Sequence, residues 1–296
     1  MKLAMTLLVR DEEDIIEANI QFHLNSGVDV IFVIDNDSVD GTRKILDKYK
    51  KLGKLFYWVE KEHNYRQDKW VSFLARQAVK KGADVIFHCD ADEFWFARFG
   101  LKKAIRMDLK DVLFVPVINY LPPFNKSKII KKISFDKFNY IIKKTTLVPG
   151  YVKDRISSDV FFYTYPNKVM TSSKYTKIGY GNDTVLGSKN AKTSISKLIK
   201  IYHFPIRGFA HFRQKVINGG LSYLKNPVKN PSIGWHWKKW FKVYKKGKIF
   251  EEYKILTRID ILNTLIKNRI IRKQKVCWTI RYAEDIYNFK RKLGLL

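Results

Sequence analysis

The feature that most constrains this chain is the alternation in its first 95 residues, where short apolar runs trade places with segments of helical period. Leu3 to Val9 is a strand-like run, and Glu12 to Ser26 sets Ile15, Ile16, Asn19, Ile20 and Leu24 on one helical face before Gly27 stops it. Val30 to Ile34, Leu55 to Val59 and Asp84 to Cys89 repeat the strand signal, with helices expected up to about Lys51 and from about Gln67 to Lys81. Short strands separated by helices pair in parallel through right-handed crossovers. The fold class that follows is α/β, a doubly wound, mostly parallel sheet, and such sheets bind ligands at the carboxyl ends of their strands.

Three polar clusters fall at those ends: Arg10 to Asp14, Asp35 to Asp40, and Asp90 to Glu93. So many carboxylates around one crevice repel one another unless a cation sits among them. In Asp90-Ala91-Asp92-Glu93, carboxylates at i and i+2 can aim at one cation, or at a cation and a ribose, and hard oxygen ligands suit Mg²⁺ or Mn²⁺. Such an ion bridges a diphosphate and neutralises its charge as it leaves. An acidic surface turn is the alternative. Asp35 and Asp37 are placed to accept hydrogen bonds from a nucleotide's base or ribose, and Asp40 to cap the next helix. Arg10 and Arg66 are the cations within reach of a nucleotide, although Arg66 also reads as a surface residue.

Charge divides the chain unevenly. Residues 1–100 hold 15 Lys and Arg against 17 Asp and Glu, a net of −2, whereas residues 101–296 hold 42 against 11, a net of +31. A near-neutral first third beside a basic remainder suits an anionic partner: nucleic acid, a membrane surface or an acidic glycan. Excess surface lysine also serves solubility alone. No recognisable nucleic-acid motif accompanies the charge, and no nucleic acid is expected as partner. With only Cys89 and Cys277, neither a disulfide framework nor a cysteine zinc site is expected, and a reducing, cytoplasmic setting follows. The run Leu3 to Val9 is too short for a signal peptide, and no stretch approaches the roughly 18 to 20 apolar residues that span a bilayer. The chain reads as soluble, or peripheral at the inner face of a membrane.

Residues 112 to 180 are rich in β-branched and aromatic types, with turn signals at Pro122-Pro123 and Pro149-Gly150, and Ile199 to Phe204 reads as one more strand. From Trp235 the pattern is helical and basic. Trp237, Trp240, Phe241 and Tyr244 share one face of that helix, which reads as docked on the protein, although lysines around aromatics also suit an anionic membrane. Trp95, Trp235 and Trp237 are candidates to stack on an acceptor's sugar faces, or else packing elements.

Taken together, Thr6 to Asp14, Asp35 to Thr42, Tyr65-Arg66-Gln67-Asp68 and Asp90 to Trp95 resemble the family 2 type of glycosyltransferases with the GT-A fold. The resemblance is closest to a bacterial subgroup that also carries His203-Phe204-Pro205-Ile206-Arg207, Asn218-Gly219-Gly220 and Gly234-Trp235-His236-Trp237, and it runs from residue 3 to about residue 245. It implies an inverting, metal-dependent transfer from a nucleotide diphosphate-sugar donor to a glycan or lipid-linked acceptor, as in surface polysaccharide or lipopolysaccharide synthesis. It places Asp90 near the ribose, Asp92 and His203 on Mn²⁺ or Mg²⁺, and Arg207 at the diphosphate. Residues 1–234 would form the catalytic domain, with a nucleotide-sugar half (1–100) and an acceptor half (101–234), and 235–296 a basic helical extension.

In Gly179-Tyr180-Gly181-Asn182-Asp183 the subgroup usually has histidine where this chain has Asp183. Inverting transfer needs a group to accept the acceptor's proton. Between residues 101 and 250 the acids are Asp108, Asp111, Asp136, Asp154, Asp159 and Asp183. Asp183, in a Gly-flanked loop, and Glu93, beside the metal motif, are the two candidates. A nucleotidyltransferase is a rival reading, but it would want a Gly-rich basic loop where Arg10 to Asp14 stand, and a dehydrogenase lacks its G-x-G-x-x-G after the first strand.

Overall fold

The computed structural model describes residues 1–64, 66–122, 133–143, 165–225, 234–257 and 262–296. Tyr65, Pro123, Pro149-Gly150, Asp154, Asp159 and the Trp235 side chain lie outside what is described. The first half alternates as expected: β1 (Leu3–Val9), α1 (Ile16–Asn25), β2 (Val30–Asp35), α2 (Thr42–Lys51), β3 (Leu55–Val59), α3 (Gln67–Lys80) and β4 (Val85–Asp90). The strands pair in parallel in the order β3-β2-β1-β4. Residues of β1 alternate between two cores. Leu3, Met5, Leu7 and Val9 join Ile16, Ile20, Leu46 and Tyr49 on one face, and Ala4 joins Leu74, Ala75 and Ala78 on the other. Helices therefore cover both faces of the inner strands, which is why β1, β2 and β4 are apolar almost throughout, while the edge strand β3 leaves Phe56, Trp58 and Val59 exposed.

One boundary differs from the sequence reading. α1 starts at Ile16, not Glu12, because the backbone reverses at Asp11 (φ 55°) and the Glu12 carbonyl receives the first N–H groups, from Ile15 and Ile16. That turn leaves the side chains of Glu12 and Asp14 on the crevice side of the sheet.

Beyond β4 come β5 (Glu93–Ala97), α4 (Leu101–Asp108), β6 (Val112–Val115), β7 (Val117–Asn119), β8 (Tyr140–Ile142), β9 (Lys168–Ser172), β10 (Thr193–Ile195) and β11 (Ile199–His203). β9 inserts antiparallel between β4 and β6, and β10 closes that edge, giving seven strands in a mostly parallel sheet. A second sheet, β5-β11-β7, sets His203 opposite Glu93 on one side and Asn119 on the other, and Phe204 N donates to the Asp92 carbonyl at 2.9 Å.

The C-terminal part is mainly helical: α5 (Phe209–Lys225), α6 (Trp235–Lys245), α7 (Ile249–Leu256), α8 (Leu262–Lys267), α9 (Trp278–Arg281) and α10 (Ala283–Lys292), with β12 (Ile271–Lys273) pairing antiparallel with β8. α5 and α6 approach closely because Gly219 and Gly220 present no side chain: a Cβ on Gly220 would sit 2.2 Å from Phe241 Cγ. The aromatic face of α6 is docked there, with Trp240 only 2% exposed. α10 returns to the first strands' layer, where Ala283 O accepts from Asn25 Nδ2 and Lys290 Nζ donates to Asn25 O, both at 2.8 Å. Among the described residues no helix is long and apolar enough to cross a membrane.

Candidate active site

A cavity of about 580 Å³ opens at the carboxyl ends of β1, β2 and β4, roofed by α5 and by Trp237 of α6. Its lining includes Arg10 to Asp14, Asn36, Asp40, Asp90, Asp92, His203, His211 and Lys215. The acidic clusters thus meet in one place, and the cations that make this tolerable come from later parts of the chain. Lys168 of β9 donates to Asp90 Oδ2 at 2.8 Å and lies 3.1 Å from Glu93 Oε1. Burial opposes the charge on Lys168, but Asp90 and Glu93 outweigh it and raise its pKa well above the ordinary value. Lys215 of α5 bonds Asp92 Oδ2 and stands 3.7 Å from Glu12 Oε1. Burial acts against the charge on Asp92 too, yet Lys215, His203 and Arg207 hold the carboxylate well below its usual range.

Arg207 is the hub. Its Nε donates to Asp14 Oδ2 at 2.7 Å, and its Nη2 to Asp14 Oδ1 at 2.8 Å and Glu12 Oε2 at 2.5 Å, while Nη1 lies 3.7 Å from Asp92 Oδ2. It is fully buried and does not line the cavity. The expected reach to a diphosphate is therefore corrected: the guanidinium fork is occupied by carboxylates of the protein, and its role is to neutralise the floor of the crevice. Burial lifts the pKa of Glu12 above the ordinary value, against the pull of Lys215 and Arg207. Burial together with the charges of Arg207 and Lys215 lowers the pKa of His211 well below normal, so its ring is neutral in the cavity wall.

The other sequence candidates separate into those at the cavity and those behind it. Arg10 is half-buried in the wall, where Nη1 donates to Ser222 Oγ at 3.3 Å and burial lowers its pKa. Asp35 is fully buried, accepting from Ser38 N at 3.0 Å and Arg43 Nε at 2.9 Å, which turns it into a brace for the β2–α2 turn instead of a nucleotide contact. Asp37, in the left-handed region at φ 57°, shares Arg43 and is not among the lining residues. Asp40 lines the cavity and accepts from Thr42 N at 2.9 Å, the capping bond expected of it. Arg66 precedes α3, half-buried and outside the lining, and its Nε has no hydrogen-bond partner among the described residues. Trp95 is corrected outright: it is fully buried against Phe87, ring centroids 4.8 Å apart, and no sugar can reach it. Trp237 lines the cavity and packs on Gly219.

Glu93 is 1% exposed behind Asp90, accepting from Asp90 N at 3.2 Å, and burial pushes its pKa up to about 7. Asp183 is half-buried in the neighbouring loop. Asn182 of that loop donates to Asp90 Oδ1 at 3.2 Å, Gly181 N donates to Gln67 at 3.0 Å, and burial raises the pKa of Asp183.

His203 bears on whether the crevice suits a divalent cation. Its Nδ1 lies 2.7 Å from Asn119 Oδ1, an oxygen that only accepts, so the ring proton belongs there. Nε2 faces Asp92 Oδ1 at 3.5 Å: a protonated ring pairs there with the carboxylate, and a neutral one turns a lone pair toward it. In the neutral form the two electron-rich atoms facing each other, with the second ring nitrogen held by an amide, fit a cation between them. Among the described residues no group of three His, Cys, Asp or Glu side chains is gathered for a metal. Asp92 and His203 would be two protein ligands, with phosphate oxygens and water supplying the others.

Lys168, Lys215, His211 and Arg43 were not singled out in the sequence. Nothing local distinguishes them from the other basic residues.

No family model matches the chain, and no curated protein does. Among solved structures it is similar to S. aureus TarS 1–349 in complex with UDP-GlcNAc, at TM-score 0.46 and 14% identity over 99% of this chain and 92% of that one. It is also similar to GalNAc-T7 with UDP, GalNAc and Mn²⁺, at TM-score 0.47 and 13% identity over 100% of this chain and 58% of that one. At this distance the function has to be read from the chain's own residues.

Proposed function

We propose that the chain is an inverting glycosyltransferase that takes a sugar from a nucleotide diphosphate donor to a hydroxyl of a glycan or lipid-linked acceptor. The observation that carries this reading is the pair Asp90 and Asp92, side by side at the end of β4 in a cavity at the carboxyl ends of a parallel sheet. Arg10 and the Asn36–Asp40 turn would receive the nucleoside, Asp90 the ribose, and Lys215 and His211 the diphosphate side. Asp92 and His203 would hold Mn²⁺ or Mg²⁺, which supplies Lewis-acid stabilisation of the departing diphosphate. Imidazole in the donor set favours manganese.

For this to happen Lys215 must leave Asp92. Its ammonium is then free to face the phosphate charge, so the same cation that pairs with the carboxylate would serve the leaving group. Asp183 is the better general base of the two candidates: it is partly open to solvent, whereas Glu93 is enclosed and bound to Lys168. With its pKa raised by burial, Asp183 gives up its proton at a higher pH than an ordinary aspartate, and kcat should fall on the acid side correspondingly higher.

The test is thermal stabilisation and donor hydrolysis across nucleotide diphosphate-sugars, with and without Mn²⁺. Asp92→Asn should abolish the metal-dependent gain in donor affinity and turnover, and Asp183→Asn should lower kcat about 100-fold or more with donor affinity nearly unchanged. Full turnover in excess chelator defeats the metal role; stabilisation by no nucleotide diphosphate defeats the reading itself.

A further inference from the structure

The aromatic face of α6, the region where the sequence places lysines around tryptophans, is turned inward and cannot enter a lipid layer. The opposite arrangement occurs at α9 and α10. The two helices meet at Tyr282 (φ −110°, ψ 28°), whose N–H donates to Trp278 O at 2.9 Å and whose carbonyl accepts from Ile286 N at 3.0 Å. One face, Ile280, Ala283 and Tyr287, is buried against α1 and α2. Exposed on these helices and at their ends are Trp278 (64% exposed) and Tyr282 (49%), four residues apart, and Phe289 (64%) and Leu293 (55%), again four apart.

These side chains have a basic collar. Lys275, Arg291 and Lys292 are exposed around them, and Arg281, ion-paired with the exposed Asp136, lies over the Tyr282 ring at 5.4 Å; Glu284 and Asp285 are the acids in the first turn of α10. A second apolar projection of the same kind is present. On α4 and the turn before it, Phe99 and Met107 are 67% and 68% exposed, with Arg98 and Lys103 each 5.5 Å from the Phe99 ring centroid. The two projections flank the end of α1, where Lys102 packs at Gly27 and Asn25 donates to Ala283 O.

Protruding aromatic and aliphatic tips need an apolar medium, and the arginines and lysines beside them need negative charge. Nucleic acid offers the charge without the medium. A second copy offers apolar surface but sets like charges face to face. An anionic bilayer surface offers both. We infer that the α9–α10 face, together with the Phe99 projection, seats this protein on an anionic lipid surface. The inference is independent of the transfer chemistry, since none of these side chains lines the cavity.

The experiment is co-sedimentation of the full chain with vesicles of phosphatidylcholine alone and of phosphatidylcholine with phosphatidylglycerol. Binding should require the anionic lipid and weaken with salt. Trp278→Ser and Phe289→Ser should each lower the partition coefficient about tenfold, the ratio that burial of one large apolar side chain sustains. Both residues are exposed, so circular dichroism and the melting temperature should stay at wild-type values. Lys242→Gln with Lys246→Gln on α6 should cost far less than either serine. Equal binding to both vesicle types, or wild-type binding by the double serine variant, overturns the inference. So does a concentration-dependent dimer that the same two substitutions dissolve, which would identify a second copy as the occupant. Donor turnover retained in the serine variants separates this result from the fate of the glycosyltransferase reading.

Discussion

The crevice and the C-terminal helices use the same residue types under opposite conditions. In the crevice Arg207, Lys168 and Lys215 are sequestered among carboxylates, each with partners at bonding distance. On the helices, cations stand over rings in contact with water, as Lys245 does 5.5 Å from the Phe241 centroid and Lys254 does 5.1 Å from that of Phe250. A buried charge deprived of its partner is expensive because water cannot replace what was lost, whereas an exposed charge is already solvated. The net charge of +29 is therefore a poor guide to which cations matter. The first region needs a handful of them for its integrity, and the second can lose many.

The sharpest way to break this contrast is Arg207→Met. It strands Glu12, Asp14 and Asp92 in a buried site, and a loss of about 3–5 kcal/mol in urea or thermal unfolding is expected. A variant within about 1 kcal/mol of wild type would mean that water reaches the floor of the crevice after all.

The next effect is the pH dependence centred on Glu93. Its pKa rises from an ordinary 4.5 to about 7 in the fold. Between those values the native chain holds a proton that the unfolded chain has released, so this contribution to stability is complete below about 4.5 and is lost as pH rises through about 7. Glu93→Gln should flatten the fall in melting temperature over that window, removing a pH-dependent term of about 2–3 kcal/mol. An unchanged slope would show that Lys168 keeps Glu93 ionised throughout.

The smallest effect belongs to the helices. Lys242→Gln and Lys246→Gln should each change stability by less than about 0.5 kcal/mol. A larger loss would place these lysines in an ion network and erase the distinction between the two regions.

The sequence and the structure agree most where the physics is local. Strands β1, β2 and β4 are fixed by burial on both faces, which writes itself as apolar runs of strand length, and the ends of these strands, of the edge strand β3 and of α2 and α3 fall within a residue or two of the expected ones. Only α1 departs by a full turn, because the backbone reverses at Asp11 before the helix begins. β12 escaped notice because Ile271-Arg272-Lys273 is too short to carry a period, and its pairing with Tyr140–Ile142 is decided by the return of the chain. At the site, the turn after β4 and the strand ending in His203 were legible as acid and imidazole at strand ends. The counter-ions were not. Which of 57 lysines and arginines meets a carboxylate depends on contacts between distant segments, and neither Lys168 in Lys-Val-Met-Thr-Ser nor Lys215 in α5 bears a mark of it. Trp95 was misplaced for a related reason: the same ring that would stack on a sugar fills a core equally well.

The bond from Arg207 to Asp14 spans 193 residues, and the one from Asn25 to Ala283 spans 258. During synthesis, Glu12 and Asp14 leave the ribosome long before the side chain that will neutralise them exists. The strands around them can pair early, but their site stays open and hydrated until Arg207 arrives, and α1 lacks its outer cover until α10 does. Folding of this part is thus held back until Arg207 and α10 have been made, by electrostatics as much as by topology. A nascent chain halted before Arg207 should remain a substrate for proteases and chaperones.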